Sequence, residues 1–165
     1  MPELLNRMTY TARLEAAVEE RIRELARAAS DGRETGGILL GRGPDEHGVI
    51  VVEEAGDAGD HAERRPDYFL RDRAHAERLA EIAWERSRAV WVGEWHTHPN
   101  GLPIPSTRDL ATYSALLDDS ELAFKALVSV IAVPDPAQRW QAPRLLVWVL
   151  APTLAADVSH ADGDG

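Results

Sequence analysis

Two histidines one residue apart, His96 and His98, precede a proline-rich stretch that leads to Ser106 and Asp109. The run Val90 to His98 is rich in β-branched and aromatic residues, which predicts a strand. Side chains two apart on a strand project from one face, so both imidazoles can be presented to one point. Residues 99–105 hold three prolines and a glycine, which bars regular structure and gives a stiff, shaped loop. Ser is a preferred N-cap, and a helix running from Ser106 to about Asp118 places Asp109 in its first turn, near the strand end. Two imidazoles and one carboxylate with an open fourth position have the composition of a catalytic zinc site. A water in that position would have its pKa lowered to roughly 7.

Each half alone has a plainer account. A single His-x-His is often only a surface or core pair, and Ser-x-x-Asp at a helix start can be a capping arrangement and nothing more. The two accounts are compatible, because a capped helix start is a rigid mount for a ligand. What favours a metal is the pairing of both motifs across a stiff loop of fixed length. A candidate base, Glu34, lies upstream in Glu34-Thr35-Gly36-Gly37-Ile38-Leu39-Leu40-Gly41. By itself it is most simply a solvated carboxylate at a strand entry, and spacing cannot bring it to the histidines.

The elements that must position these residues follow from periodicity. Residues 10–30 predict a helix, with Leu14, Val18, Ile22, Leu25 and Ala26 at helical spacing and Asp31-Gly32 as its stop. Strands are expected at 37–41 and 49–53 around a hairpin turn at 43–48, with an irregular loop at 56–67. A second helix is expected at about 71–88, its apolar side formed by Ala74, Leu79, Ile82 and Ala83. Strands at 127–133 and 145–150 flank a loop carrying Pro134, Pro136 and Pro143. Trp91, Trp95, Trp140 and Trp148 are expected in the core, and His47, His61, His75 and His160 are given no metal role. Residues 153–165, small and acidic, are expected to form a disordered tail. With no repeat and no interdomain linker, the expectation is one α+β or mixed α/β domain.

Composition narrows the partners. The net charge of −10 argues against a general affinity for nucleic acid, although a local basic patch such as Arg64-Arg65 remains. The absence of cysteine rules out disulfides and thiolate metal sites. No apolar run approaches the roughly 20 residues of a membrane span, and no secretory signal is visible, so a cytoplasmic location without membrane contact is expected.

Glu34-x-x-Gly37-x-Leu39-x-Gly41 followed by His96-x-His98-Pro99-x6-Ser106-x2-Asp109 resembles the JAMM, or MPN+/JAB, metalloprotease family. Gly93-Glu94-Trp95-His96-Thr97-His98-Pro99 looks more like its bacterial branch, some of whose members are encoded beside E1- and E2-like homologues, including in anti-phage defence operons. The resemblance implies a cytidine-deaminase-like fold with a central mixed sheet flanked by helices, the domain occupying residues 1–152. It implies Zn2+ held by His96, His98 and Asp109, Glu34 as general base, and Ser106 stabilising the oxyanion. The implied reaction is cleavage after the C-terminal glycine of a ubiquitin-like protein, with E1/E2-like proteins as further partners.

The chain also departs from the family. It is too short for both insertions by which eukaryotic members grip ubiquitin, and only residues 56–67 are a candidate for the first. Glu94 replaces a residue that is often aromatic in eukaryotic members; on the face of the histidines, it either serves the site or is a plain carboxylate near the strand end. Two other readings stay open. His98-Pro99-Asn100-Gly101-x-Pro103-x-Pro105-Ser106 also resembles RadC-type proteins, and a non-catalytic MPN scaffold would share the fold.

Overall fold

The computed structural model describes residues 9–152, so the tail expected at 153–165 lies outside the described residues. Six strands form one mixed sheet: β1 (Thr11–Leu14), β2 (Gly36–Arg42), β3 (Val49–Ala55), and β6 (Val90–Thr97), β7 (Leu127–Asp135) and β8 (Arg139–Leu150). Their spatial order is β1-β3-β2-β6-β7-β8, with β1/β3 and β6/β7 parallel and the other pairs antiparallel. A separate hairpin consists of β4 (Glu63–Arg65) and β5 (Tyr68–Leu70). The helices are α1 (Ala16–Ala28), α2 (Arg73–Ser87) and α3 (Thr107–Asp118).

Helix α1 buries Val18, Ile22 and Ala26, spaced four apart, against Leu39, Ile50, Val52, Trp95, Val128 and Val130. Fully burying such an aliphatic side chain contributes about 1.5–3 kcal/mol. Across the sheet, α2 packs Ala76 and Ala83 on Ile38 and Leu40. Helix α3 connects the parallel strands β6 and β7, and parallel pairing requires a crossover of this kind. Its Tyr113 is buried, and the Tyr113 hydroxyl shares a 2.8 Å hydrogen bond with the buried Ser129 of β7.

Several expectations need correction. The helix expected from residue 10 begins only at Ala16, because Thr11–Leu14 pair instead with Val49–Val52 as the edge strand β1. Tertiary pairing here overrides the helical spacing of Leu14. The expected loop 56–67 contains β4, which turns at Pro66-Asp67 into β5. The loop expected between the last strands is a short hairpin, since β7 continues to Asp135 and β8 starts at Arg139. Pro134 falls where the register slips and Pro143 sits on the edge strand, both places where a missing N–H is tolerated. Of the apolar side expected for α2, Leu79 and Ala83 face the sheet, whereas Ala74 and Ile82 are exposed and Ala76 and Ala80 take their place. Trp148, expected in the core, is 39% exposed on β8, whereas Trp95 is 1% exposed.

Gly36 opens β2 opposite His96. A Cβ on it would collide with the Trp95 carbonyl oxygen and lie 2.9 Å from the His96 Cα. Both obstacles are backbone and cannot rotate away. Gly36→Ala is therefore expected to lower the unfolding free energy by about 2 kcal/mol or more. Urea denaturation checks this, and an unchanged midpoint would show that the strands have room to separate.

Candidate active site

Strand β6 packs Trp95 into the core with the inner residues of α1, and its Glu94 and His96 line a cleft. Trp95 anchors the strand by donating its indole N–H to the Gly56 carbonyl at 2.8 Å. His98 lies one residue past the strand, but its backbone N–H still donates to the Ala132 carbonyl of β7 at 2.9 Å. Both histidines are thus held by sheet pairing, and both are buried.

Asp109 arrives from α3. Its helix begins with a capping box in which Ser106 Oγ accepts from the Asp109 N–H (3.1 Å) and Asp109 Oδ2 accepts from the Ser106 N–H (2.7 Å). The capping account of Ser-x-x-Asp therefore holds. The same Oδ2 also lies 3.2 Å from His96 Nε2 and 3.1 Å from His98 Nε2, while the two Nε2 atoms are 2.9 Å apart. Ligand atoms 2.0–2.1 Å from a tetrahedral zinc would be about 3.3 Å apart, so the triangle is close to the size such an ion needs. Among the described residues, these three form a group that could hold a metal ion.

The protonation pattern suits that use. His98 Nδ1 lies 2.9 Å from the Leu102 carbonyl, which can only accept, so Nδ1 carries the proton and a neutral ring turns its Nε2 lone pair toward the group. The loop 99–105 supplies that carbonyl, turned back by Gly101, whose φ is +82°.

Glu34 is carried to the same cleft. The Thr35 N–H donates to Thr97 Oγ1 (2.9 Å) and the Thr97 N–H to the Thr35 carbonyl (2.8 Å), which joins the segment before β2 to the residue between the histidines. The cleft beside the triangle is lined by Glu34, Asp67, Tyr68, Glu94, His96 and Asp109. Arg108 of α3 stacks over the Tyr68 ring at 4.9 Å, linking helix and hairpin. Glu34 is 8% exposed, not a solvated loop carboxylate.

Burial raises the Glu34 pKa above the ordinary glutamate value, with the charges of Asp109 and Asp67 adding and those of His96 and His98 opposing. Burial would also raise Asp109, but hydrogen bonds from His96 and His98 and from the Ser106 N–H outweigh it and hold the carboxyl well below the usual range. For His98, burial favours the neutral ring, yet the Asp109 and Leu102 contacts prevail and the pKa rises.

Spacing alone gave no account of two arginines. Arg71 pairs with Glu94 and stacks 5.0 Å over Trp91. Glu94 is thus neither a plain exposed carboxylate nor a free one; burial raises its pKa and Arg71 opposes the rise. Arg64 of β4 bonds the segment carrying Glu34. Only the fold brings these partners together. His47, His61 and His75 lie beside Glu46, Asp72 and Asp57 respectively, and His160 lies outside the described residues.

A mixed sheet that ends in a histidine pair facing a capped carboxylate defines a class of protein, and comparison with known proteins names it. The family described as prokaryotic homologs of the JAB domain matches residues 15–145. The chain belongs to this family, as the residues between 34 and 109 suggested. It is similar to a protein of Enterobacter hormaechei subsp. hoffmannii named CD-NTase/cGAS isopeptidase, with 29% identity over 129 residues, 74% of this chain and 66% of the relative. A Vibrio cholerae protein of the same name is 38% identical over 80 residues, 46% of this chain and 49% of the relative. The matched stretch thus spans about half to two thirds of the length of these relatives. A solution structure of a Desulfitobacterium hafniense protein superposes with a TM-score of 0.57 at 23% identity, covering 86% of this chain and 85% of that one, which shows the shared fold. One from Salinibacter ruber gives 0.52 at 26%, covering 85% and 82%.

The half-buried Arg71–Glu94 pair generates a stability prediction. Arg71→Ala strands a carboxylate that is largely out of water, which is expected to cost roughly 2–5 kcal/mol. Adding Glu94→Gln should restore much of that loss, because no unpaired charge remains. Thermal unfolding of the single and double variants checks this, and equal losses in both would contradict it.

Proposed function

We propose that the protein is a zinc-dependent isopeptidase that releases a protein attached through its extended, glycine-terminated C-terminal tail. The observation that carries this reading is the convergence of His96 Nε2, His98 Nε2 and Asp109 Oδ2 in a cleft shared with the buried Glu34. Two nitrogens and one carboxylate oxygen suit zinc better than calcium or magnesium, which prefer all-oxygen shells. When bound, zinc would supply Lewis-acid polarisation of the scissile carbonyl and activation of the attacking water.

The chain's own residues do the rest. The Glu34 carboxylate takes a proton from the attacking water and returns it to the leaving amine nitrogen. Its raised pKa makes the carboxylate a stronger base than an ordinary glutamate. Ser106 Oγ spends a lone pair on the Asp109 N–H, which leaves its one hydrogen free to donate to the developing oxyanion. Among the described residues β5 has no strand partner on its outer edge, and its Tyr68 and Phe69 line the cleft, so an extended tail can add there by backbone hydrogen bonds.

Two substrates are supported by different observations. The relatives' name, CD-NTase/cGAS isopeptidase, supports an isopeptide bond in which a CD-NTase/cGAS-type protein takes part. The resemblance of residues 34–109 to the JAMM family supports a ubiquitin-like tail, with E1/E2-like proteins as the enzymes that make the bond. The intact liganding set argues against the scaffold reading.

The test uses the full chain with two reporters, one fused to the C-terminus of ubiquitin and one to that of a CD-NTase, and counts zinc in the same preparation. About one zinc per chain is expected, and Asp109→Ala should remove it. Cleavage of one reporter after its last native residue is expected, falling about 10²–10⁴-fold in Glu34→Ala and about 10²–10³-fold in Ser106→Ala. Zinc at a hundredfold excess over its dissociation constant should stabilise the metal-free protein by about 2.7 kcal/mol. Absence of zinc would overturn the metal assignment and favour a scaffold. Zinc without cleavage of either reporter would leave the metal site standing and overturn both substrate readings.

A further inference from the structure

Glu34 lies in the connection between α1 and β2, with neither helix nor sheet ladder around it. Its backbone is held by the hairpin instead. The Glu34 N–H donates to the Arg65 carbonyl at 2.8 Å, and Arg64 Nε donates to the Glu34 carbonyl at 3.0 Å. Consecutive residues of β4 thus take both polar groups of the Glu34 peptide backbone. Arg64 reaches further. Its Nη2 donates to the carbonyls of Ala29 (3.2 Å) and Arg33 (3.3 Å) and to Asp31 Oδ1 (2.8 Å), and its Nη1 donates to Asp31 Oδ2 (3.1 Å). One guanidinium, its side chain 19% exposed, therefore ties the end of α1, the Asp31–Arg33 turn and Glu34 to the hairpin.

The hairpin has a second duty. Asp67, Tyr68 and Phe69, on its turn and on β5, line the cleft that holds Glu34, His96 and Asp109. The structural unit that walls the cleft is also the one that holds the base. We propose that Arg64 is a positioning residue for Glu34, fastening the cleft-lining hairpin to the segment that carries the base. This rests on the reading of Glu34 as the base. The five contacts, with one of the two Nη2 hydrogens shared between acceptors, leave in several directions from one planar fork, which a lysine ammonium with three donors cannot match. A displacement of about 1 Å at a reacting group can cost about 10²-fold in rate. The liganding triangle is held chiefly by the pairing of β6 with β2 and β7 and by the cap of α3, none of which Arg64 bonds directly.

The experiment compares Arg64→Ala and Arg64→Lys in the full chain. Amide hydrogen exchange at Glu34 is expected to accelerate about tenfold or more in Arg64→Ala and less in Arg64→Lys, with β7 amides and zinc content unchanged. On whichever reporter the wild type cleaves, kcat should fall about 10- to 100-fold while KM stays within about twofold. In a Glu34→Ala background the further change Arg64→Ala should cost nothing more, since its effect passes through Glu34. Exchange at Glu34 that stays unchanged, or an equal acceleration at β7, would overturn the proposal. So would a kcat loss that persists in the Glu34→Ala background. If the wild type cleaves neither reporter, the reading of the reaction fails on its own, and the exchange pattern still decides whether Arg64 holds the Glu34 segment.

Discussion

Three electron-rich atoms, His96 Nε2, His98 Nε2 and Asp109 Oδ2, crowd within 3.2 Å of one another at a buried point. Lone pairs directed at a common centre repel unless positive charge is shared among them, as protons on the imidazoles or as a cation. Much of the architecture serves to keep them there. Pairing of β6 with β2 and β7 fixes the histidines, the Leu102 carbonyl orients one ring, and the capping box delivers the carboxylate. The Asp109 oxygen that closes the box is the one that faces the histidines, so helix capping and ligand placement are one interaction.

Close backbone approach sustains this arrangement. Gly36 lies against the Trp95–His96 peptide, and Gly93 lies equally close to the Val128 backbone of β7. These contacts let three strands converge beneath the site while Trp95 fills the opposite side. The polar groups around the cleft are likewise satisfied: Glu94 by Arg71, Thr97 by Thr35, Tyr113 by Ser129. Among the described residues, no buried side-chain nitrogen or oxygen lacks a partner. Buried polar networks of this kind hold a geometry only when they are complete.

What the sequence disclosed depended on range. The period-two spacing of His96 and His98, the prolines of 99–105 and the cap at Ser106 are local signals, and local physics converts them directly into geometry. The positions of Trp95 and α3 followed. Signals failed where a distant partner decides conformation. Thr11–Leu14 has helical spacing, yet β3 recruits it as a strand, and the three-residue strands β4 and β5 have too few residues for any period to show. Glu34 looked solvated because its burial comes from β4 and from Thr97, both far away in the chain. The inner face of α2 was half legible: Leu79 and Ala83 pack toward β2 as expected, but the small Ala76 and Ala80 join them, and Ile82 and Trp84 are left outside.

The same contrast bears on how such a site can vary. The three converging side chains, drawn from a sheet end and a helix start, are held by backbone pairing and by a cap, which tolerate change at the surrounding side chains. Glu34 depends instead on a connection pinned by a short hairpin, whose turn and second strand line the cleft. Changes in β5 would therefore be felt at Glu34 through β4, and at the triangle only through the Thr35–Thr97 pair. Glu34 and the cleft-lining hairpin are thus mechanically joined, and the triangle meets the Glu34 segment through the Thr35–Thr97 pair.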